Sequence, residues 1–189
     1  MFSTNQLSQI QKKIHLNAYD ILLSDIEIEG SPMSQVDNPS PEEIALLISL
    51  AEQGDKIYQF TVGIIYSKAF GVAKDEVKAV KWFKKAAEQG LSDAQFNMGQ
   101  AYFMGKGAPK NHMKALHWYC LAAEQGDTEA MLKLGIIFVK GNDGVPLNLP
   151  AAVRFLEMAK ANGDPDAIKN LDLIYESRVL EHSDPCDTH

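Results

Sequence analysis

The residues best suited to chemistry are a histidine and a cysteine near the middle of the chain. His117 and Cys120 are three residues apart, a spacing that places two side chains on one face of a helix. A nucleophilic thiol needs a neighbouring base and an orienting acid, and no acid is specified here. Two local ligands also fall short of the four of a structural zinc site. We therefore expect a surface or groove histidine, a buried small thiol and no enzyme, with a hydrolase using this pair as the least favoured alternative.

Two other stretches could be mistaken for ligand sites. The segment "GKGAPKN" (105–111) is rich in glycine and lysine, but it lacks the spacing of a phosphate-binding loop and follows a helix rather than a strand. We expect a turn between helices. The tail holds His182, Asp184, Cys186 and His189, and a flexible tail preorganises no metal site. The sequence thus predicts no catalytic residue, no metal, no cofactor and no obligatory small molecule.

Composition and charge narrow the functional class. The 189 residues are 46% hydrophobic, ordinary for one globular domain. Residues 55–161 carry a net charge of +4 and the flanks −11, for a total of −7. Without a strong basic stripe, we expect no nucleic-acid partner. The sequence contains no run of eighteen apolar residues, so we expect no membrane insertion. No signal peptide is recognisable. We expect a cytoplasmic protein with reduced thiols, and secretion by a signal-independent route stays open.

One short word recurs at a fixed interval. "ISLAEQG", "KKAAEQG" and "CLAAEQG" end at Gly54, Gly90 and Gly126, each 36 residues after the last, and Gly163 closes a further copy after 37. Internal repeats of this length indicate a stacked array of supersecondary units. The structural repeat positions are Gly63, Tyr66, Trp82, Gly90, Gly99, Tyr102, Trp118, Gly126, Gly135 and Gly163. A fourth copy begins near Pro165, with Asp172 at the place of Gly99.

Each copy is predicted to form two helices joined by a glycine-containing turn. The glycines at Gly63 and its equivalents lie mid-helix, where glycine costs about 1 kcal/mol relative to alanine. We therefore expect close helix packing there, with Trp82 and Trp118 filling the adjacent space. The closing glycine suits a left-handed position after the helix. Asp127 and Asp164 can cap the following helices, and Ser92 takes this role in the second copy.

The pattern A-x3-(L/M)-G-x2-Y-x2-G-x-G…K-A-x2-W-(Y/F)-x2-A-A-E-Q-G resembles the Sel1-like repeat family, which is related to tetratricopeptide repeats. The resemblance extends over residues 42–176. It implies an all-α fold, namely a right-handed α/α solenoid (superhelix) of stacked antiparallel helix pairs with a 36-residue period. The branch of the family that carries paired cysteines in each repeat is a poor match, because the repeats hold Cys120 alone.

The expected organisation has four parts. Residues 1–25 form an N-terminal helix that caps the solenoid, with an independent docking element as the alternative. Residues 26–40 are a linker rich in turn residues. Residues 41–178 form the solenoid, whose apolar end needs a cover. Residues 179–189 are a flexible acidic tail by composition.

The resemblance places a protein-binding surface on the first helix of each copy, along the concave face. Positions that differ between copies are the candidates for specificity. Ile64 and Ile136 are either exposed anchors or buried between copies, and the sequence leaves both open. The nine candidate residues are Thr61, Ile64, Lys68, Asn97, Gln100, Met104, Lys133, Ile136 and Lys140.

The resemblance implies a non-catalytic module that binds a partner protein, because family members are generally adaptors or scaffolds and are often bacterial. The expected roles are an adaptor, a regulator or a cognate inhibitor such as an immunity protein, and the small size and acidic composition fit the inhibitor. A secreted bacterial effector that binds a host protein is the alternative.

Overall fold

The computed structural model describes residues 39–141 and 144–182, with side chains as far as residue 177. The predicted N-terminal helix, residues 26–38 of the predicted linker and the end of the tail lie outside these residues. In the described part every regular element is an α-helix. The helices are α1 (Pro41–Glu52), α2 (Lys56–Lys68), α3 (Glu76–Glu88), α4 (Ser92–Met104), α5 (His112–Glu124), α6 (Thr128–Lys140), α7 (Leu149–Ala161) and α8 (Pro165–His182).

The helices pair within each copy of the repeat. The first helices α2, α4 and α6 begin at 36-residue intervals, and each packs along the second helix that follows it, α3, α5 and α7 respectively. The chain divides into two compact units, with the boundary between Leu91 and Ser92. In unit 1, α1 packs on α2. In unit 2, α5 packs on α6 and α7 packs on α8, so that consecutive pairs stack.

The helix ends follow from local sequence. Asp127 accepts a hydrogen bond from the Ala130 amide at 2.8 Å, and Asp164 accepts one from the Ala167 amide at 2.8 Å. Both predicted caps are therefore confirmed. The prediction for Ser92 is wrong, because this residue lies inside α4 and its hydroxyl lies 3.5 Å from the carbonyl oxygen of Ala122.

The closing glycines adopt the predicted left-handed conformation. The φ angles of Gly90, Gly126 and Gly163 are +79°, +94° and +90°. After each glycine, the amide of the next residue bonds back to the carbonyl of Ala86, Ala122 or Ala159 at 3.1–3.2 Å. This geometry satisfies carbonyl groups that the helix end would otherwise leave without a donor.

The mid-helix glycines do mark close helix packing, but the tryptophans do not fill the space. A Cβ at Gly63, Gly99 or Gly135 would lie 2.5 Å from a side chain of the paired helix. These side chains are those of Phe83, Tyr119 and Leu156, each buried. Trp82 and Trp118 are one residue earlier and only half-buried, because one residue turns the helix by roughly 100°. The ammonium of Lys85 lies 4.1 Å from the centroid of the Trp82 ring.

The glutamine of the recurring "EQG" motif links the helices of unit 1 by hydrogen bonds. The side-chain amide of Gln89 donates to the Gln59 side chain at 2.8 Å and to the Gly54 carbonyl at 2.9 Å. Gln59, which is buried, donates in turn to the Ala51 carbonyl at 3.1 Å. In unit 2, Gln125 donates to Gln95 at 2.7 Å. Sequence reasoning missed this role, although the recurrence of "EQG" was the signal for it.

Candidate partner-binding surface

In unit 1, two of the three predicted binding residues on α2 are inaccessible to a partner. Thr61 and Ile64 are both buried. The Thr61 hydroxyl donates to the Ile57 carbonyl at 2.9 Å, within its own helix. The buried alternative therefore holds for Ile64, and the prediction that these two side chains line a binding groove is wrong. Lys68, at the end of α2, is exposed.

In unit 2, the predicted residues are more accessible. On α4, Asn97 and Gln100 are half-buried, while Met104 is 53% exposed. The Asn97 side-chain amide donates to the Asp93 carbonyl at 2.8 Å, which holds it along the helix. On α6, Lys133 and Ile136 are half-buried and Lys140 is exposed.

The fourth copy extends this surface by a helix that the sequence prediction left out. On α8, the positions equivalent to the three predicted residues of α6 lie 37 residues later. They are Asn170, Leu173 and Ser177. Leu173 is 64% exposed, and the Asn170 amide repeats the bond of Asn97, donating to the Asp166 carbonyl at 2.7 Å. The continued period was the signal that could have found them. We call the following set the first-helix face of unit 2: Asn97, Gln100, Met104, Lys133, Ile136, Lys140, Asn170, Leu173 and Ser177.

The charges of this face are positive, with carboxylates at its border. Lys133 and Lys140 are its two basic side chains. Lys169, hydrogen-bonded to Asp166 at 2.8 Å, lowers the pKa of that carboxyl, and Lys133 lowers it further through its charge.

Burial raises the pKa of Asp127, and the charge of Asp93 raises it again. The N-terminal ends of α4 and α6 are therefore within electrostatic reach of each other.

The geometry does not make a catalytic centre of His117 and Cys120. His117 is exposed, and its ring centroid lies 5.5 Å from that of Trp118. Cys120 is half-buried. Burial raises the pKa of the Cys120 thiol, the Glu124 carboxylate raises it further, and Arg154 opposes the shift. The thiol is therefore protonated near neutral pH, whereas a catalytic cysteine needs a lowered pKa.

The other ligand candidates have structural explanations or lie outside the described side chains. The 105–111 segment is a turn in which Gly105 and Gly107 have φ angles of +73° and +70°. Asn111 at its end caps α5 by accepting from the Lys114 amide at 2.9 Å. Across residues 39–141 and 144–177, no three histidine, cysteine, aspartate or glutamate side chains could share a metal ion. The described helices also include none with the length and apolarity needed to cross a bilayer.

Comparison with known proteins gives a family and three similar structures. The family model for the Sel1 repeat matches residues 58–91, 92–127 and 128–164, and no curated protein matches the chain. A Sel1 repeat protein from Oxalobacter formigenes is 39% identical with a TM-score of 0.63, and the match covers 67% of this chain and 50% of that one. A protective antigen present in uropathogenic Escherichia coli strains, which displays an SLR fold, is 28% identical with a TM-score of 0.70.

The antigen match covers 89% of this chain but 36% of the antigen, so this chain spans at most half the length of either protein. Cysteine rich protein B of Helicobacter pylori matches the fold at 22% identity and a TM-score of 0.55, over 72% of this chain and 97% of that one. The predicted all-α fold of antiparallel helix pairs at a 36-residue period is confirmed.

Proposed function

Because the chain belongs to the Sel1 repeat family, whose members are generally protein-interaction modules, we propose that it binds a partner protein through the first-helix face of unit 2. The repeat fold is typically a non-catalytic scaffold. The pKa of Cys120, raised by burial, supports treating the protein as a binding module rather than an enzyme.

The observation that carries this proposal is the exposure of large apolar side chains on the face. Leu173 and Met104 are 64% and 53% exposed, and apolar side chains exposed on one face often mark an interface. Apolar anchors surrounded by polar contacts are the usual composition of an interface centre. Ile136, half-buried on α6, adds a third apolar side chain.

The charge of the face indicates the chemistry of the partner. The face includes two lysines, Lys133 and Lys140, and no aspartate or glutamate. A complementary partner surface would present aspartate or glutamate around its own apolar side chains, since complementary charges favour the encounter and fix its register. We propose a role as an adaptor, a regulator or a cognate inhibitor such as an immunity protein.

A second candidate function is binding of a host protein outside the producing cell. It is favoured by the likeness to the Escherichia coli protective antigen. Detection of the protein in washed culture supernatant, together with absence of a cytosolic control enzyme there, would support this alternative. Retention of all the protein inside the cells would count against it.

The test of the interaction is affinity purification with matched variants. Leu173→Asp places a charge at the most exposed apolar position of the face. Val77→Asp places the same charge on α3, at a position that is 54% exposed and belongs to a second helix. We expect one protein to co-purify in equal amounts with the wild type and Val77→Asp, and to be lost from Leu173→Asp. Equal recovery with all three proteins would refute the assignment of the face.

A further inference from the structure

A groove lies between the second helices α5 and α7 of unit 2, and no member of the first-helix face lines it. Its volume is about 330 Å³. Ala123 and Phe155, both buried, form its floor. Cys120 and Met158 add sulfur-containing side chains, and Glu124 and Arg154 complete the lining. Ligand pockets range from roughly 300 to 1,000 Å³, so this groove lies at the small end of that range and has room for one large apolar side chain.

The groove is bordered by two charged side chains that form no ion pair within the described structure. The guanidinium carbon of Arg154 lies 4.8 Å from the centroid of the Phe155 ring, which holds this cation over the aromatic floor. Neither Arg154 nor Glu124 forms an ion pair with any residue that the structure describes. Both charges influence the Cys120 thiol, Glu124 raising its pKa and Arg154 lowering it. The Glu124 and Arg154 side chains therefore both set the electrostatic potential inside the groove.

We propose that this groove is a second docking site, for a segment of a partner protein in which a large apolar residue adjoins one aspartate or glutamate. The apolar side chain enters between Cys120 and Met158 and packs above Ala123. The neighbouring carboxylate pairs with Arg154, because a planar guanidinium matches a carboxylate with two parallel hydrogen bonds.

The remaining features of the groove decide the kind of occupant. It is partly open to solvent, so a side chain can enter while its backbone stays outside, which favours a peptide segment over a free small molecule. Glu124 repels a second carboxylate on its own side and so sets the direction of the segment. This site shares no residue with the first-helix face, so either surface can fail its test without affecting the other.

Titration of the ¹⁵N-labelled full chain with short capped peptides tests the proposal. The probe is acetyl-Ala-Phe-Asp-Ala-amide. One control peptide replaces aspartate with asparagine, and the other replaces phenylalanine with alanine. We expect the probe to shift the amide signals of Cys120, Ala123 and Met158, with a dissociation constant in the millimolar range. Each control peptide should bind at least about fivefold more weakly, which corresponds to the loss of one anchoring contact.

Two variants complete the test. Arg154→Gln removes the cation from the groove, whereas Lys160→Gln removes a cation from the same helix that does not line it. We expect Arg154→Gln to weaken the probe at least about fivefold and Lys160→Gln to leave it unchanged. The spectrum of each variant reports directly whether it is folded. No shift at groove amides up to about 10 mM peptide, or equal affinity for Arg154→Gln and the wild type, would overturn the proposal.

Discussion

Replacing Gly99 with alanine adds one methyl group where α4 packs most closely on α5. A Cβ there would lie 2.5, 2.6 and 2.9 Å from three carbons of the Tyr119 ring, whereas carbons in contact are about 3.5–4.0 Å apart. The ring or the helix must therefore move by about 1 Å. Tyr119 is 1% exposed and its ring centroid lies 5.6 Å from that of Phe96, so the ring has no open space to enter.

Two contributions of opposite sign determine the size of the effect. Helix propensity favours alanine over glycine by about 1 kcal/mol. Overpacking a dense core costs about 1–3 kcal/mol and occasionally more, and the short distances at Gly99 indicate the upper end of that range. We therefore expect Gly99→Ala to lower the free energy of unfolding by about 2 kcal/mol. Urea unfolding followed by far-ultraviolet circular dichroism measures this change.

Two controls separate the contact from the substitution itself. Gln100→Ala changes the next residue, which is half-buried, and should alter stability by no more than about 0.5 kcal/mol. In a Tyr119→Ala background the added methyl enters the cavity left by the ring, so Gly99→Ala should become neutral or stabilising. The reasoning is refuted if Gly99→Ala in the wild-type background raises stability by about 1 kcal/mol, the full gain in helix propensity.

Three further predictions concern other parts of the repeat. Gln59→Ala removes the donor to the Ala51 carbonyl and should lower the free energy of unfolding by about 1–3 kcal/mol in urea titrations. Ala69 has a φ angle of +63°, a left-handed conformation that is strained for alanine and not for glycine. Ala69→Gly should therefore raise the free energy of unfolding by about 1 kcal/mol and raise the thermal midpoint with it, and an unchanged midpoint would contradict this. The folded-state pKa of Asp127 is raised, so its contribution to stability is present below the unfolded pKa and lost as pH rises through the folded one. Asp127→Asn, which keeps a capping side chain, should therefore gain stability relative to the wild type between about pH 4 and pH 7, as calorimetry at several pH values can show.

Local patterns were enough to predict most of the fold. The 36-residue spacing located the helix pairs, and the caps at Asp127 and Asp164 depend only on residues one turn away. The left-handed glycines were predictable for the same reason, because glycine alone adopts positive φ without a steric cost. These features are decided within a few residues of sequence, which is why one sequence reveals them.

Packing partners were harder to predict, because a residue type that recurs in every copy does not reveal which way its side chain points. Trp82 and Trp118 recur at identical positions, whereas the side chains that contact the mid-helix glycines vary as Phe83, Tyr119 and Leu156. The recurrence of tryptophan between copies therefore pointed to Trp82 and Trp118 rather than to the residues that contact the glycines. The contact itself requires only a large side chain in the correct direction.

The candidate surface depended on helix phase, which the sequence left uncertain. Thr61 and Ile64 are equivalent by position to Asn97 and Gln100, yet the first two are buried and the second two are half-buried. The Gln59–Gln89 hydrogen bond joins residues 30 positions apart, and no local pattern predicts an interaction over that distance. The nine candidate residues came from the first helices of three copies, so Leu173 on the first helix of the fourth copy was left out.

The central claim is that a partner protein contacts the first-helix face of unit 2, and site-specific photo-crosslinking in the producing cells tests it most directly. A photoreactive phenylalanine derivative would replace Leu173 in one variant and Val77 in the other, two exposed positions on different kinds of helix. The account predicts a discrete adduct with one protein from position 173 and none from position 77. An adduct from position 77 with none from position 173 would contradict it.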